Sequence, residues 1–298
     1  MTNKHSARIA AIVILYQPKV DVVAALKRFG ATADILVVVW NSMPTINMTD
    51  GFLDGRIRVI VNDDNRGLGC GLNQGLAVAF GEMDVDYALL FDQDSLPPPD
   101  MGRSLVNAFA DAQGGGLRPA AVGAALSDVK GAAAHVGRQL PSGQNIVCVP
   151  SLATSGTLIS KTAFYDVGAM HDALFIDAID HEWCFRAASK RLRCYVIRDV
   201  RMLHDMGDGG FTFMGRYRPV HRSPLRHYYI TRNTIWLVAQ RKVPLGWRFS
   251  EIAKIIPRLV IYCIVSEDRS ATFRAVKRAI VDGLRSRLGK VDLGPKTQ

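Results

Sequence analysis

What this chain of 298 residues lacks excludes several kinds of protein. Its first residues, Met1 to Arg8, are polar and contain no apolar core of a secretory signal, so export is not expected. The five cysteines (Cys70, Cys148, Cys184, Cys194 and Cys263) are odd in number, scattered, and form no C-x-x-C. That argues against a disulfide frame or a zinc site and fits reduced cytosolic thiols, mostly in the core. The apolar stretch Ile252 to Val265 is broken by Lys254, Pro257 and Arg258. At about 14 residues it falls short of the roughly 20 that span a bilayer. A dinucleotide fingerprint is also missing: Gly67, Gly69 and Gly71 are spaced G-x-G-x-G, and five residues part the first from the preceding strand.

Acidic residues are scarce in one region only. Residues 1–200 hold 18 Lys and Arg against 20 Asp and Glu, a net of −2, whereas residues 201–298 hold 19 against 7, a net of +12, which together make the +10 of the whole chain. The basic excess thus belongs to the C-terminal third, where it suits a polyanion, either nucleic acid or an anionic leaflet. With 48% hydrophobic and 21% charged residues, the composition is that of a folded enzyme of one large α/β domain or one domain with an appendage.

The stretch around which the chain is organised is Tyr87 to Ser95, an apolar run ending in Asp92-Gln93-Asp94-Ser95 and followed by Pro97-Pro98-Pro99. It reads as a strand buried on both faces, with two carboxylates at its carboxyl end, the edge where open α/β sheets bind ligands. Acids at i and i+2 can face one hard divalent cation, the usual grip on a substrate diphosphate.

Before it, Arg8–Tyr16, Ile35–Trp40 and Arg56–Val61 read as strands. Gln17-Pro18 is expected to open a helix through Phe29, with Gly30 as its cap. Leu68, Leu72, Leu76 and Phe80 mark an amphipathic helix. This rhythm is that of a parallel sheet with crossover helices. A helix is expected from Met101 to about Ala112, edge strands and loops over Ala120–Ser160, a helix through Lys190, a strand Arg193–Ile197, a loop holding His204, and a helix Leu225–Gln240. Phe273, Val276, Ile280, Leu284 and Leu288 then recur at helical spacing among Arg274, Lys277, Arg278, Arg285 and Arg287. Such a basic amphipathic helix either lies on an anionic surface or packs on the domain.

The ordered set Tyr16-Gln17-Pro18, Asn41-Ser42, the loop Asn65, Gly67, Gly69, Gly71, Asn73 and Gly75, Asp92 to Ser95, Thr154 to Thr157, Phe175 to Trp183, His204, and Arg226 with Tyr228, Tyr229, Arg232 and Asn233 resembles glycosyltransferase family 2. Within it the chain is most similar to the bacterial rhamnosyltransferases that build O-antigen lipopolysaccharide and other surface polysaccharides. The resemblance covers residues 8 to 245. It implies a GT-A fold over residues 1–240, with 1–100 as the nucleotide half and 101–240 as the acceptor half, followed by a basic helical extension, 241–298. It also implies a nucleotide-sugar donor, dTDP-L-rhamnose, a divalent cation (Mg²⁺ or Mn²⁺), inversion at the anomeric carbon and a lipid-linked saccharide acceptor. The expected location is the cytoplasmic face of the inner membrane, held to anionic lipid by the basic helices, and no nucleic acid is expected.

Carried over residue by residue, Asp94 and Asp92 bind the metal or its water and the donor ribose, and His204 is a further metal or diphosphate ligand. Tyr16, Gln17, Asn41, Asn65, Gly67, Asn73, Gln93 and Arg232 join Asp92 on the donor. Thr154, Ser155, Gly156, Thr157, Asp177, Glu182, Trp183 and Arg226 line the sugar and acceptor pocket. Asp180 is the catalytic base, with Asp177 and Glu182 as rivals. The chain departs from the family at Trp40, where an acid that reads the pyrimidine is common. Stacking by Trp40, or hydrogen bonding by Asp63 or Asp64, stands in its place. A UDP-hexose or UDP-galactofuranose is the alternative donor, and a basic nucleic-acid-binding protein is the alternative of another class.

Overall fold

The computed structural model describes residues 7–44, 55–128, 138–139, 145–204, 210–213, 216–219, 223–266 and 268–293. Strands β1 (Ile9–Leu15), β2 (Ile35–Trp40), β3 (Ile57–Val61) and β4 (Tyr87–Asp92) alternate with helices α1 (Val22–Gly30) and α2 (Leu68–Ala77), the latter running into a π-helical turn, Val78–Glu82. Helix α3 (Met101–Gly114) follows β4, and then come β5 (Pro119–Asp128), β6 (Arg138–Gln139), β7 (Ile146–Val149), β8 (Thr157–Ser160) and α4 (Lys161–Val167). After a 3₁₀ turn, Asp172–Leu174, come α5 (Ile179–Ser189), β9 (Arg193–His204), the short pair β10 (Gly210–Phe213) and β11 (Arg216–Pro219), and helices α6 (Pro224–Ala239), α7 (Leu245–Val265) and α8 (Arg269–Leu284).

Nine strands make one sheet in the order β3-β2-β1-β4-β8-β5-β9-β7-β6. The first four are parallel, β8 runs antiparallel between β4 and β5, and β9 is parallel to β5. Because β1 and β2 are buried on both faces, their sequences are continuously apolar. Alternate residues feed opposite layers. Ile12, Val37 and Val39 pack with Leu72, Leu76 and Phe80 of the α2 side, while Ile9, Val13 and Val38 pack with Leu26, Phe29 and Phe109 of α1 and α3. Helix α2 sits so close to the sheet that a Cβ at Gly75 would lie 2.5 Å from Ile12 Cγ2, which explains the glycine.

Four expectations change. Helix α1 begins at Val22, since Asp21 Oδ1 accepts from Ala24 N–H and caps it there, five residues after Gln17. Gly30 is its last helical residue, and Ala31 is the cap. Within Ala120–Ser160, β5 and β8 are interior strands, buried on both sides by β4 and β9. The glycine and alanine content of β5, which obscured it, lets it pack closely: a Cβ at Gly123 would meet Leu152 Cδ2 at 2.8 Å. Strand β9 continues to His204, so that residue ends a strand rather than lying within a loop.

Helix α8 returns to the domain. Its inward face is the small stripe Ala271, Ala275, Ala279 and Gly283, and a Cβ at Gly283 would lie 2.9 Å from Arg232 O on α6. Of the expected apolar series, Val276 is buried, but Phe273 and Leu284 are exposed. Tyr228 O–H donates to Asp282 Oδ2 (2.8 Å), Val291 N–H donates to Tyr229 Oη (2.9 Å), and Gly289 N–H reaches Ala173 O (2.6 Å).

Burial, with the bond to Asp282, pushes the Tyr228 hydroxyl up to about 12 from an ordinary 10.0. The unfolded tyrosine ionises first, so between these values the folded state holds more protons and stability falls as pH rises. Tyr228→Phe is expected to make the loss of melting temperature over that pH window shallower than in the parent. An unchanged slope would show that α8 docking does not depend on this hydroxyl.

Candidate active site

The carboxyl end of β4 is held by its neighbours on both sides. Asp92 N–H donates to Ser155 Oγ (3.3 Å), and the Ser155 hydroxyl also pairs with that of buried Ser95. Gln93 Oε1 accepts from Tyr16 N–H (2.9 Å), tying the ends of β4 and β1 together. Gln17, next to it, takes a positive φ of 41° and donates its N–H to Ser42 Oγ (3.3 Å). Leu96 N–H donates to Leu203 O (3.2 Å). That bridge brings the backbone of His204 beside the Asp92–Asp94 loop; its side chain lies outside the described residues. Asp92 is half-buried and Asp94 exposed.

The turn 154–157 lies against the same edge, since Gly156 N–H donates to Leu90 O (2.8 Å). Its Gly156 needs a positive φ (78°). Ser155 and Thr157 are buried, and Thr157 Oγ1 donates to Ala153 O (2.6 Å), so these hydroxyls shape the turn from within; Thr154 is half-buried.

Most residues expected on the donor use their polar atoms on the protein. Asn41 is buried; its Nδ2 donates to Gly67 O (3.0 Å) and its Oδ1 accepts from Asn62 (2.7 Å). Asn65 Oδ1 accepts from Gly67 N–H (2.9 Å), and Asn73 clasps Met170 through both its N–H and its C=O (2.8 and 3.0 Å). The close backbone approach that Gly67 allows is to Phe175: a Cβ there would lie 2.7 Å from Phe175 O, which instead accepts from Leu68 N–H (2.7 Å). Trp40 is wholly buried in the sheet core, which rules out stacking on a base. Asp64 is exposed and paired with Lys290 (2.9 Å) and, at 3.8 Å, Arg66, which hold its carboxyl below the usual range. Asp63 remains exposed at the end of β3.

The segment before α5 is strained. Phe175, Asp177 and Ala178 have φ of 66°, 66° and 65°. Phe175 centres a γ-turn in which Ile176 N–H donates to Leu174 O (2.8 Å), the rare positive-φ kind. Helix α6 holds it in place. Asn233 Nδ2 donates to the carbonyls of Leu174 (3.1 Å), Ile176 (2.8 Å) and Asp177 (2.8 Å). Arg232, expected on the donor, is instead buried and donates to Leu174 O, Gly289 O and Asn233 Oδ1, with its guanidinium over the rings of Tyr228 and Tyr229. Phe175 stacks on Tyr229 at 5.0 Å. Reading from sequence alone missed Asn233 as a clamp, although a polar Arg-Asn pair inside a helix of aromatic and apolar residues was the available signal.

This turn sorts three carboxylates. Asp177 Oδ2 lies 2.8 Å from Arg226 Nε, an ion pair rather than a well-aligned hydrogen bond. Glu182 is paired with Arg186 (2.9 and 2.7 Å). Asp180, half-buried in the first turn of α5, accepts only the N–H of His181 (2.8 Å) among the described contacts. Trp183, expected in the acceptor pocket, is buried and donates to Gly168 O (2.9 Å). Beside the turn, a cavity of about 280 Å³ lies between α5, α6 and α7, lined by Asp177, His181, Thr234, Trp247, Glu251 and Tyr262. A larger cleft of about 620 Å³, at Cys148, Cys184 and Cys194, includes none of the expected site residues.

Residues 23–118 match the family described as Glycosyl transferase family 2. The chain thus carries a family 2 glycosyltransferase domain. The chain is 25% identical over 292 residues to the dTDP-rhamnosyl transferase RfbF of Shigella flexneri, covering 95% of this chain and 98% of that one. Among solved structures it is similar to S. aureus TarS 1-349 in complex with UDP-GlcNAc (TM-score 0.54, 15% identity, 94% of this chain and 81% of that chain). It is also similar to GalNAc-T7 with UDP, GalNAc and Mn²⁺ (TM-score 0.52, 11% identity), covering 70% of this chain but only 44% of that one. At these identities the structural likeness concerns the fold, the GT-A arrangement of a mostly parallel sheet flanked by helices.

For this glycosyltransferase, Asn233→Ala is expected to remove three bonds from the strained turn at about 1 kcal/mol each and to lower the melting temperature by several degrees. Turnover should fall as well, because the turn sets where Asp180, the expected catalytic base, stands. Thermal unfolding and turnover, measured on the same preparation, check both; a variant as stable as the parent would deny the clamp.

Proposed function

We propose that this enzyme is an inverting, metal-dependent rhamnosyltransferase, moving L-rhamnose from dTDP-L-rhamnose to a lipid-linked saccharide in the synthesis of a surface polysaccharide such as O-antigen. The donor reading is supported by likeness to a protein named as a dTDP-rhamnosyl transferase over nearly its whole length. The observation that carries the catalytic assignment is the pairing pattern of residues 177–182, in which Asp177 and Glu182 are paired with arginines and Asp180 is in no ion pair among the described residues.

In a single displacement, a carboxylate takes the proton of the acceptor hydroxyl as that oxygen attacks the anomeric carbon. We assign this to Asp180. Asp177, fixed by Arg226, and Glu182, fixed by Arg186, are positioning groups, and the cavity at His181, Trp247 and Thr234 is the acceptor side. Leaving-group charge develops on the opposite side of the carbon, and we assign the grip on it to Asp92 and Asp94 at the carboxyl end of β4. No group of three metal-type ligands occurs among the described residues. Two hard carboxylates at a strand end nevertheless fit Mg²⁺ or Mn²⁺, which keeps waters and takes the rest of its ligands from substrate phosphates. When bound, such a cation neutralises charge on the departing diphosphate. His204, whose backbone reaches the same edge, is the third candidate ligand. Asp63 is the remaining candidate for reading the pyrimidine. The basic C-terminal helices would draw the enzyme to the anionic face that carries its acceptor, at about 1 kcal/mol per cationic side chain near the surface.

The test offers the purified enzyme dTDP-rhamnose, UDP-glucose, UDP-galactose and GDP-mannose with Mg²⁺ or Mn²⁺ and scores free nucleoside diphosphate. Release from dTDP-rhamnose is expected, with Asp180→Asn slower by about 10²–10⁴-fold while still binding donor, and Asp94→Ala losing metal-dependent donor binding. Reaction with a UDP-hexose alone would overturn the donor and leave the residue roles standing.

A further inference from the structure

Helix α7 is built inside out. Toward α6 it turns Glu251, Arg258 and Tyr262; Glu251 is bonded to Lys254 (3.0 Å) and Arg258 (2.8 Å), and Tyr262 stacks on buried His227 at 3.9 Å. Away from the protein it turns Leu245, Phe249, Ile252, Ile256, Val260 and Ile264, every one exposed, Ile256 by 74%. The spacing of four, three, four, four and four makes one continuous stripe along a helix of 21 residues, roughly 30 Å at 1.5 Å per residue. An apolar stripe of that length is not left in water without a partner.

Charge identifies the partner. Helix α8 packs beside α7 and also buries its other side on α6, so both helices present their outer faces away from the domain. On α8 the outward residues are Phe273, Arg274, Lys277, Arg278, Val281, Leu284 and Arg285, while the one acid within the helix, Asp282, is buried. A second copy of this chain docked about a two-fold axis would bring like-charged arrays together. An anionic bilayer accepts apolar side chains at the acyl boundary and cations among its headgroups. No helix of the described residues is long and apolar enough to cross a membrane.

We propose that the α7 stripe inserts into the interfacial layer of an anionic leaflet, with the cations of α8 holding the headgroups around it. This rests on the reading of a membrane-borne acceptor only for its purpose, since vesicle binding and turnover are separate readouts. It assigns the apolar anchoring to residues 245–264, so charge alone does not account for binding.

The test is co-sedimentation of the full chain with vesicles of phosphatidylglycerol and phosphatidylcholine, against phosphatidylcholine alone, with light scattering of the free protein. The parent is expected to bind the anionic vesicles and keep part of that binding at high salt. The fraction bound by the paired variant Ile256→Asp, Val260→Asp should fall by about tenfold or more, as insertion requires, with turnover of a soluble acceptor unchanged; Ile256→Leu should bind like the parent. Parental binding by the aspartate variant overturns the proposal, as does absence of vesicle binding by the parent. A lipid-free dimer that this variant dissociates also overturns it and makes the stripe a contact between copies.

Discussion

The site depends on one turn held against its own preference. Residues with left-handed backbone at Phe175, Asp177 and Ala178 each cost about 1–2 kcal/mol relative to an ordinary conformation, more than the one γ-turn bond from Ile176 N–H to Leu174 O offsets. The compensation comes from α6, where Asn233 and Arg232 supply donors to carbonyls that the turn leaves pointing outward. At about 1 kcal/mol net for each such bond, the two sides are of similar size. The turn is therefore a consequence of tertiary packing, and its geometry sets where α5 starts and where Asp180 stands. The same turn also receives the first N–H of α2 through Phe175 O, so the glycine loop before α2 and the start of α5 are referred to a common backbone atom.

This explains why the C-terminal helices are not a detachable appendage in physical terms, whatever they do at a surface. Arg232 donates to Gly289 O as well as Leu174 O, and Gly289 N–H returns to Ala173 O. The chain after α8 thus closes a ring through α6 to the strained turn. Small residues on α8 bring it near enough for that closure, and its cations are left on the outer face.

The first half of the fold was legible because local and tertiary preferences agree there. Ile35–Trp40 has the same bounds in sequence and structure, and Tyr87–Asp92 ends at the carboxylates as expected, since a doubly buried strand must be apolar throughout. The interior strands β5 and β8 were not legible as such: in β5, small residues that pack tightly look like loop composition until their neighbours are known, and β8 is only four residues long. Among site residues, the carboxylates Asp177, Asp180 and Glu182 could be located by motif, with Asp180 put first, but the arginines that pair with Asp177 and Glu182 could not be read from the sequence. Asn41, Asn73 and Arg232 could be located but not given a role. A buried amide or guanidinium and a ligand-binding one have the same letter, and only the partner atoms distinguish them.

The division of charge follows from the same logic. Where a carboxylate is buried in the C-terminal helices, it is given cations, as Glu251 is by Lys254 and Arg258 and Asp282 is by Arg278 at 3.4 Å. The outward surface then keeps an excess of cations with apolar residues between them, a combination that pure solvation does not favour and that an acidic, partly apolar surface does. Asp92 and Asp94 stand instead at the carboxyl terminus of β4, the strand end to which we assign the substrate diphosphate and its cation. A net of −2 in the first 200 residues and +12 in the remainder suits the two different partners proposed for this chain, a cation-bound diphosphate and an anionic surface.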